Sequence, residues 1–203
     1  MRLSCKAIHK KRVPCVLLKI DIAKAFDSVA WNFLLEVLAH LGFSQRWRDW
    51  VSSMLSTAST KILLNGRPGR RICHARGLRQ GDPLSPMLFV LVMEVLNHLI
   101  CWLDVQGFLS SLGVAALPFR VNLYADDVVM FVTPKLDDLL VLKGAVELFG
   151  LASGMFSNLD KSVATPIGCS EQEAGLVRDT LLCKIEAFPC RYLGIPLSIF
   201  KLR

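Results

Sequence analysis

Charge is scarce in this sequence. Of 203 residues only 20% are Asp, Glu, Lys or Arg, against 53% hydrophobic. A chain so apolar buries enough surface to offset its ordering entropy, which excludes intrinsic disorder and allows one domain, or one plus a fragment. Cysteine pairs are missing as well. Cys5, Cys15, Cys73, Cys101, Cys169, Cys183 and Cys190 form no C-x-x-C, and no histidine stands at zinc-finger spacing. Neither a disulfide scaffold nor a structural zinc site is read, and the thiols are expected to be free and mostly in the core. The start, MRLSCKAIHKKR, is basic but lacks the apolar stretch followed by small residues that a secretory signal needs. An intracellular chain, in nucleus or cytoplasm, is expected. Mean hydropathy is +0.44, yet the best membrane window, 86–103, carries Glu94, Asn97 and His98 along one face. It therefore reads as a core helix, with no membrane partner. No internal repeat or linker is visible.

Acidic residues are absent from Lys61 to Gln80, where Lys61, Arg67, Arg70, Arg71, Arg76 and Arg79 all fall. That cluster, in a chain of net charge +7, suits a polyanion such as nucleic acid. A solvated basic hairpin accounts for it as well.

The apolar run 16–20 ends in Asp21 and predicts a buried strand whose carboxyl end delivers an acid. A helix is expected over 29–41, with Asp27 or Ser28 as N-cap and Gly42 as its stop. Ser44 caps a second helix that turns Trp47, Trp50, Val51, Met54 and Leu55 towards the core. Runs 62–64 and 71–73 flank Asn65-Gly66, a hairpin signal. Ser85 as N-cap and Pro86 open a long helix to about residue 103. Runs 119–124 and 128–133 enclose Ala125-Asp126-Asp127, a tight hairpin with acids at its tip. Leu139, Leu142, Val146 and Phe149 repeat at helical spacing, Ser170 and Glu173 form a capping box, and 188–197 has strand composition. Strands and helices interleave without βαβ alternation. The expected fold is α+β, an antiparallel sheet with helices on one face, the acidic hairpin at its centre and its acids facing the open side.

Asp21 and Asp126-Asp127 each interrupt an apolar strand context. If their strands are neighbours, three carboxylates converge, and their joint ionisation requires divalent cations. Two such ions about 4 Å apart activate a 3′ hydroxyl and stabilise a leaving pyrophosphate. Asp is equally favoured in turns and at helix N-termini, so Asp126 and Asp27 also have a purely conformational reading.

The runs Asp21-Ile-Ala-Lys-Ala-Phe-Asp27, Gly77-Leu-Arg-Gln-Gly-Asp-Pro-Leu-Ser-Pro86 and Tyr124-Ala-Asp-Asp127 together resemble successive palm motifs of reverse transcriptases from non-LTR, LINE-type retrotransposons. Ser153-Gly154, Asn158 and Lys161-Ser162 resemble the next motif, and Tyr192-Leu-Gly-Ile-Pro-Leu197 the primer-gripping region. The resemblance implies that Asp21, Asp126 and Asp127, with the Ile22 carbonyl, bind two Mg²⁺, for which Mn²⁺ can substitute. It makes Phe26 the gate against a ribose 2′ hydroxyl, Arg79, Gln80 and Gly81 the nucleotide-pocket loop, Lys161 a general acid towards pyrophosphate, and Tyr192, Leu193 and Gly194 a primer contact. Asp27 is expected to be a structural cap. Implied partners are an RNA template, a DNA primer and deoxynucleoside triphosphates.

The implied fold is a polymerase palm over 15–168, with 1–14 the remnant of a preceding segment and 169–203 the palm's end and start of the thumb connection. Fingers and most of the thumb are expected to be absent, as are an endonuclease segment and a cysteine-histidine knuckle. Because positioning supplies much of the rate in phosphoryl transfer, little activity is expected of the chain alone. Two functions stand at this point: a reverse transcriptase fragment of a longer polyprotein, and an inactive retrotransposon remnant that is at most a basic nucleic-acid-binding fold. Phe26 argues against a third, an RNA-templated RNA polymerase.

Overall fold

The computed structural model describes residues 1–113 and 119–199. The apolar run before Asp21 becomes β1 (Cys15–Ile22), the middle strand of a five-stranded sheet. Its partners are β4 (Val121–Tyr124), β5 (Asp127–Val132), β6 (Ser157–Ile167) and β7 (Lys184–Ile185), in the order β4-β5-β1-β6-β7. Every pairing is antiparallel except that of β6 with β7. The acidic β4–β5 hairpin therefore lies on one side of the sheet rather than at its centre, because β1 brings in β6 across its other edge.

Alternation along the strands decides which side chains face which layer. Val16, Leu18, Ile20 and Ile22 of β1 and Val128, Met130 and Val132 of β5 belong to the larger core. That core is closed by α3 (Trp31–His40), α4 (Gln45–Ser56), α5 (Ser85–Val105), α6 (Leu136–Ser153) and α7 (Glu171–Leu181). On the opposite face Cys15, Leu17, Val129 and Phe131 pack under α1 (Arg2–Lys11) and a small C-terminal hairpin, β8 (Cys190–Tyr192) with β9 (Ile195–Leu197). That cover spans only part of the face. Further along the same face β1 carries Lys19 and Asp21, and β5 carries Asp127, all partly exposed.

Several expected boundaries move for physical reasons. The helix expected from 29 begins at Trp31, and Asp27 and Ser28 belong to a separate four-residue turn, α2 (Ala25–Ser28). Val29 is extended between them, and Ala30, with no side-chain cap, starts α3. Backbone bonds from outside impose the break: Ala30 N donates to Ser153 O at 2.7 Å and Gly77 N donates to Val29 O at 2.8 Å. Ser85 is not the N-cap of α5: Leu84 is, without a side-chain cap, and Ser85 is buried at the first helical position, while Asp82 Oδ1 in the loop before accepts from Leu84 N at 2.8 Å and Ser85 N at 3.3 Å. Ser44 caps α4 as expected, accepting from Trp47 N. Trp50 does not reach the core: it is 60% exposed beneath the Arg46 guanidinium, since Val51 and Leu55 centre the buried face and Trp50 falls at its rim.

Among the described residues α5 is the one helix long and apolar enough to cross a membrane. Leu88, Phe89, Val92, Met93, Leu96 and Ile100 of that helix nevertheless lie in the core. The cysteines are free, and Cys5, Cys15, Cys183 and Cys190 are buried, whereas Cys73 is exposed. Residues 200–203, the end of the expected thumb connection, lie outside the described residues.

Candidate active site

The β1–β5 register sets Asp21 directly opposite Asp127. Directly paired residues share a face with Cβ atoms roughly 5 Å apart, so two carboxylates are held side by side at the open end of the sheet. Two residues before Asp21, and so on that face too, stands Lys19. Its Nζ lies 2.9 Å from Asp127 Oδ1, the two side chains being 36% and 32% exposed. Asp126 occupies the turn itself, after Ala125 at φ 52°, and is exposed. Among the described residues no group of three or more His, Cys, Asp or Glu side chains is arranged to hold a metal ion. The structure thus brings Asp21 and Asp127 together and leaves Asp126 beside them on the hairpin tip.

β6 deforms to build the other wall. Lys19 pairs with Val163 but Asp21 pairs with Asn158, so residues 159–162 loop out of the ladder. The Ser162 hydroxyl closes that loop, accepting from Asp21 N at 3.2 Å and donating to Asn158 O at 2.8 Å. Lys161 rides on the loop and lines a concavity with Lys19, Asp21, Arg191 and Tyr192. Tyr192 donates its hydroxyl to Asn122 Oδ1 at 2.9 Å. Burial, and then the charge of Asp127, push its phenol above the usual range and keep it neutral. Leu193 and Gly194, both at positive φ, form the turn between β8 and β9.

Beyond Ile22 the chain is gripped from two sides. Ala23 N donates to Phe156 O at 2.9 Å, Leu78 N donates to Phe26 O at 2.7 Å, and Trp31 Nε1 donates to Gly77 O at 2.8 Å. A Cβ on Gly77 would stand 2.6 Å from Asp27 O, and one on Gly154 would stand 2.6 Å from Ser28 O, both at positive φ. Only glycine permits that approach. Phe26 is half-buried and stacked on Phe89, with ring centroids 4.3 Å apart. Exposed Asp27 borders a second concavity with His74, Arg76, Arg79 and Gln80, while Gly81 lies in the turn that follows.

The basic cluster stands on an exposed two-stranded ribbon, β2 (Ser59–Leu64) and β3 (Arg67–Cys73), turned at Asn65 with φ 49°. Lys61 sits directly opposite Arg71. Arg71 donates to Ser59 Oγ at 2.9 Å and Thr57 O at 3.4 Å, and Arg79 donates to Thr57 Oγ1 at 3.3 Å, so two guanidinium groups meet over Thr57. Arg67 and Arg70 are free to solvent along β3.

Residues 2–197 match the family described as reverse transcriptase (RNA-dependent DNA polymerase). The chain belongs to that family. It is 33% identical over 160 residues to a Pol polyprotein of a type-1 R2 retrotransposable element from Popillia japonica, covering 76% of this chain and 21% of that polyprotein. With the type-2 R2 element of Drosophila melanogaster it shares 28% identity over 155 residues, 75% of this chain and 14% of the relative. The chain therefore spans no more than about a fifth of these relatives' length. Apo telomerase from Candida tropicalis superposes with TM-score 0.60 at 16% identity over 84% of this chain and 35% of the telomerase, a likeness of fold. The α+β palm expected from the sequence is thus the fold of the family, and the non-LTR retrotransposon kinship is shown by the R2 relatives.

Lys19 and Thr57 carry no motif in the sequence, and Ser162 stands there only as part of one, with no partner assigned. Lys19 was legible as a cation two places before Asp21 on an apolar strand. Thr57 and Ser162 act through hydroxyls that accept from Arg79 and from Asp21 N, 22 and 141 residues away, and these partners meet only in the fold.

Proposed function

We propose that this domain performs RNA-directed addition of deoxynucleotides to a DNA primer 3′ end. The observation that carries the reading is the direct opposition of Asp21 and Asp127 at the open end of the sheet, in a chain of the reverse transcriptase family. Carboxylate oxygens with open sides are hard donors of the kind that take Mg²⁺ or Mn²⁺ and leave positions for phosphate oxygens. Asp21, Asp126, Asp127 and the Ile22 carbonyl are the groups that would hold two such ions. Bound there, the metals supply charge stabilisation for the attacking and leaving oxygens of phosphoryl transfer.

The remaining residues bind and orient. Phe26, braced by Phe89, forms a wall that rejects a 2′ hydroxyl. Arg79, Gln80 and Gly81 border the nucleotide, and Lys161 on the β6 loop-out holds a proton for the pyrophosphate oxygen. Lys61, Arg67, Arg70, Arg71 and Arg76 hold nucleic-acid backbone, and the Tyr192-Leu193-Gly194 turn, near Asp127, holds the primer end. The template, primer and triphosphates are read from the family, and the chain acts as part of a longer polyprotein.

A second reading is favoured by one observation: the three carboxylates do not form a metal-binding group among the described residues. On it the chain is a silent, basic nucleic-acid-binding fold. Extension of a DNA primer on an RNA template, with Mg²⁺ and with Mn²⁺, separates the two. Extension that Asp126→Asn and Asp127→Asn abolish supports the polymerase; oligonucleotide binding with neither extension nor any Mn²⁺ binding by the chain supports the second reading.

A further inference from the structure

Lys19 is the sole cation of β1, and it stands two residues before Asp21 on the strand face that also carries Asp127. Its direct neighbours across the sheet are Val129 on one side and Val163 on the other. Those valines give the aliphatic stem an apolar bed but offer the ammonium nothing. The ammonium instead reaches one step along the face to Asp127 Oδ1, at 2.9 Å. Asp127 in turn stands directly opposite Asp21. Like charges so placed on neighbouring strands repel, and the Lys19 ammonium against Asp127 offsets that repulsion.

We infer that Lys19 is a resident counter-cation, holding against Asp127 the charge position that a divalent ion takes, so that metal entry must displace its ammonium. The pair is a third exposed at both ends, so solvent screens it and it opens at little cost. That is what a displaceable cation needs and a structural clamp does not. Lys161 and Arg191 line the same concavity, but among the described residues neither is ion-paired with Asp21 or Asp127. The inference rests on the reading of Asp21 and Asp127 as metal ligands and adds a competitor to it. A positive charge removed from a half-exposed divalent site should tighten metal binding roughly three- to tenfold at about 0.1 M salt.

The test titrates Mn²⁺ into the full chain, following the free-ion electron paramagnetic resonance signal and, separately, thermal unfolding with and without the ion. Lys19→Met is expected to bind Mn²⁺ three- to tenfold more tightly than the parent and to melt lower than it in metal-free buffer, the gap closing as metal is added. Lys19→Arg keeps a cation and should behave as the parent, which separates loss of charge from loss of fold. In an Asp127→Asn background, Lys19→Met should change Mn²⁺ affinity little. Binding by Lys19→Met that is unchanged or weaker, while Asp127→Asn still lowers it, overturns the inference alone. No Mn²⁺ binding by the parent overturns it together with the aspartate reading.

Discussion

The acidic end of the sheet and the basic ribbon are built on opposite terms. At the acidic end the fold determines position: Asp21 and Asp127 are fixed by register, Asp21 N is held by Ser162, and α2 is gripped between glycine turns that touch its carbonyls. Its one obvious repulsion is met by Lys19. On β2–β3 every residue of β3 and nearly all of β2 are exposed, Lys61 faces Arg71 across the ladder, and no acid lies between Lys61 and Gln80. There the fold leaves a repulsion unanswered. A region whose geometry is over-determined suits chemistry, whereas one whose charges lack partners suits a polyanionic ligand that supplies them.

That contrast breaks hardest at the glycines. Gly77→Ala and Gly154→Ala would each drive a Cβ into a backbone carbonyl at positive φ, and each is expected to cost about 2–4 kcal/mol by denaturant unfolding. Gly69→Ala on the ribbon meets one atom, Ile62 O at 3.1 Å, and should cost under about 1 kcal/mol. Equal losses at the three sites would erase the distinction.

Alkaline titration acts on the core between α1 and the sheet, where Cys5 and Cys15 are buried. Burial pushes the Cys5 and Cys15 thiols from 9.0 up to about 12. Because the folded values are raised, their stabilisation is complete below pH 9 and is lost as pH rises from 9 to 12. Melting temperature should fall across that window, and Cys5→Ala with Cys15→Ala should flatten the fall. An unchanged pH profile in that double variant would show that these thiols do not govern it.

On the ribbon, Lys61→Glu should weaken single-stranded RNA binding by about tenfold at low salt and lessen its salt dependence, as expected when phosphate contacts are lost. The same change should leave stability level or raise it by a few tenths of a kcal/mol, since it turns a like-charge pair into an opposite one. Lost stability with unchanged RNA binding would reverse the assignment of the ribbon. At the site's edge, Tyr192→Phe forfeits one exposed hydrogen bond to Asn122 and should cost about 0.5–1 kcal/mol of stability.

The elements that the sequence made legible are those that local chemistry determines. Short apolar, β-rich runs marked β1 and β5, Asn65 with Gly66 marked the ribbon turn, and Ser170 with Glu173 marked the capping box of α7. What escaped depends on partners distant in the chain. The break at Val29 is made by Gly77 and Ser153, the loop-out of β6 exists only against β1, and the place of the acidic hairpin beside rather than at the centre of the sheet follows from the β1–β6 pairing. At the site, the acids were visible as interruptions of apolar strands. The opposition of Asp21 to Asp127 was not, because a one-residue change of register would have sent one of them to the other face.

Metal-dependent thermal stabilisation of the parent chain beside Asp21→Asn and Asp127→Asn tests the central claim most directly. At Mn²⁺ about 100-fold above its dissociation constant, binding to the folded state stabilises by roughly 2–3 kcal/mol, or about 5–10 °C for a chain of this size. The account predicts that rise in the parent and its loss in both variants. A parent that melts at the same temperature with or without metal, or variants that respond as it does, would contradict a metal site at the paired aspartates.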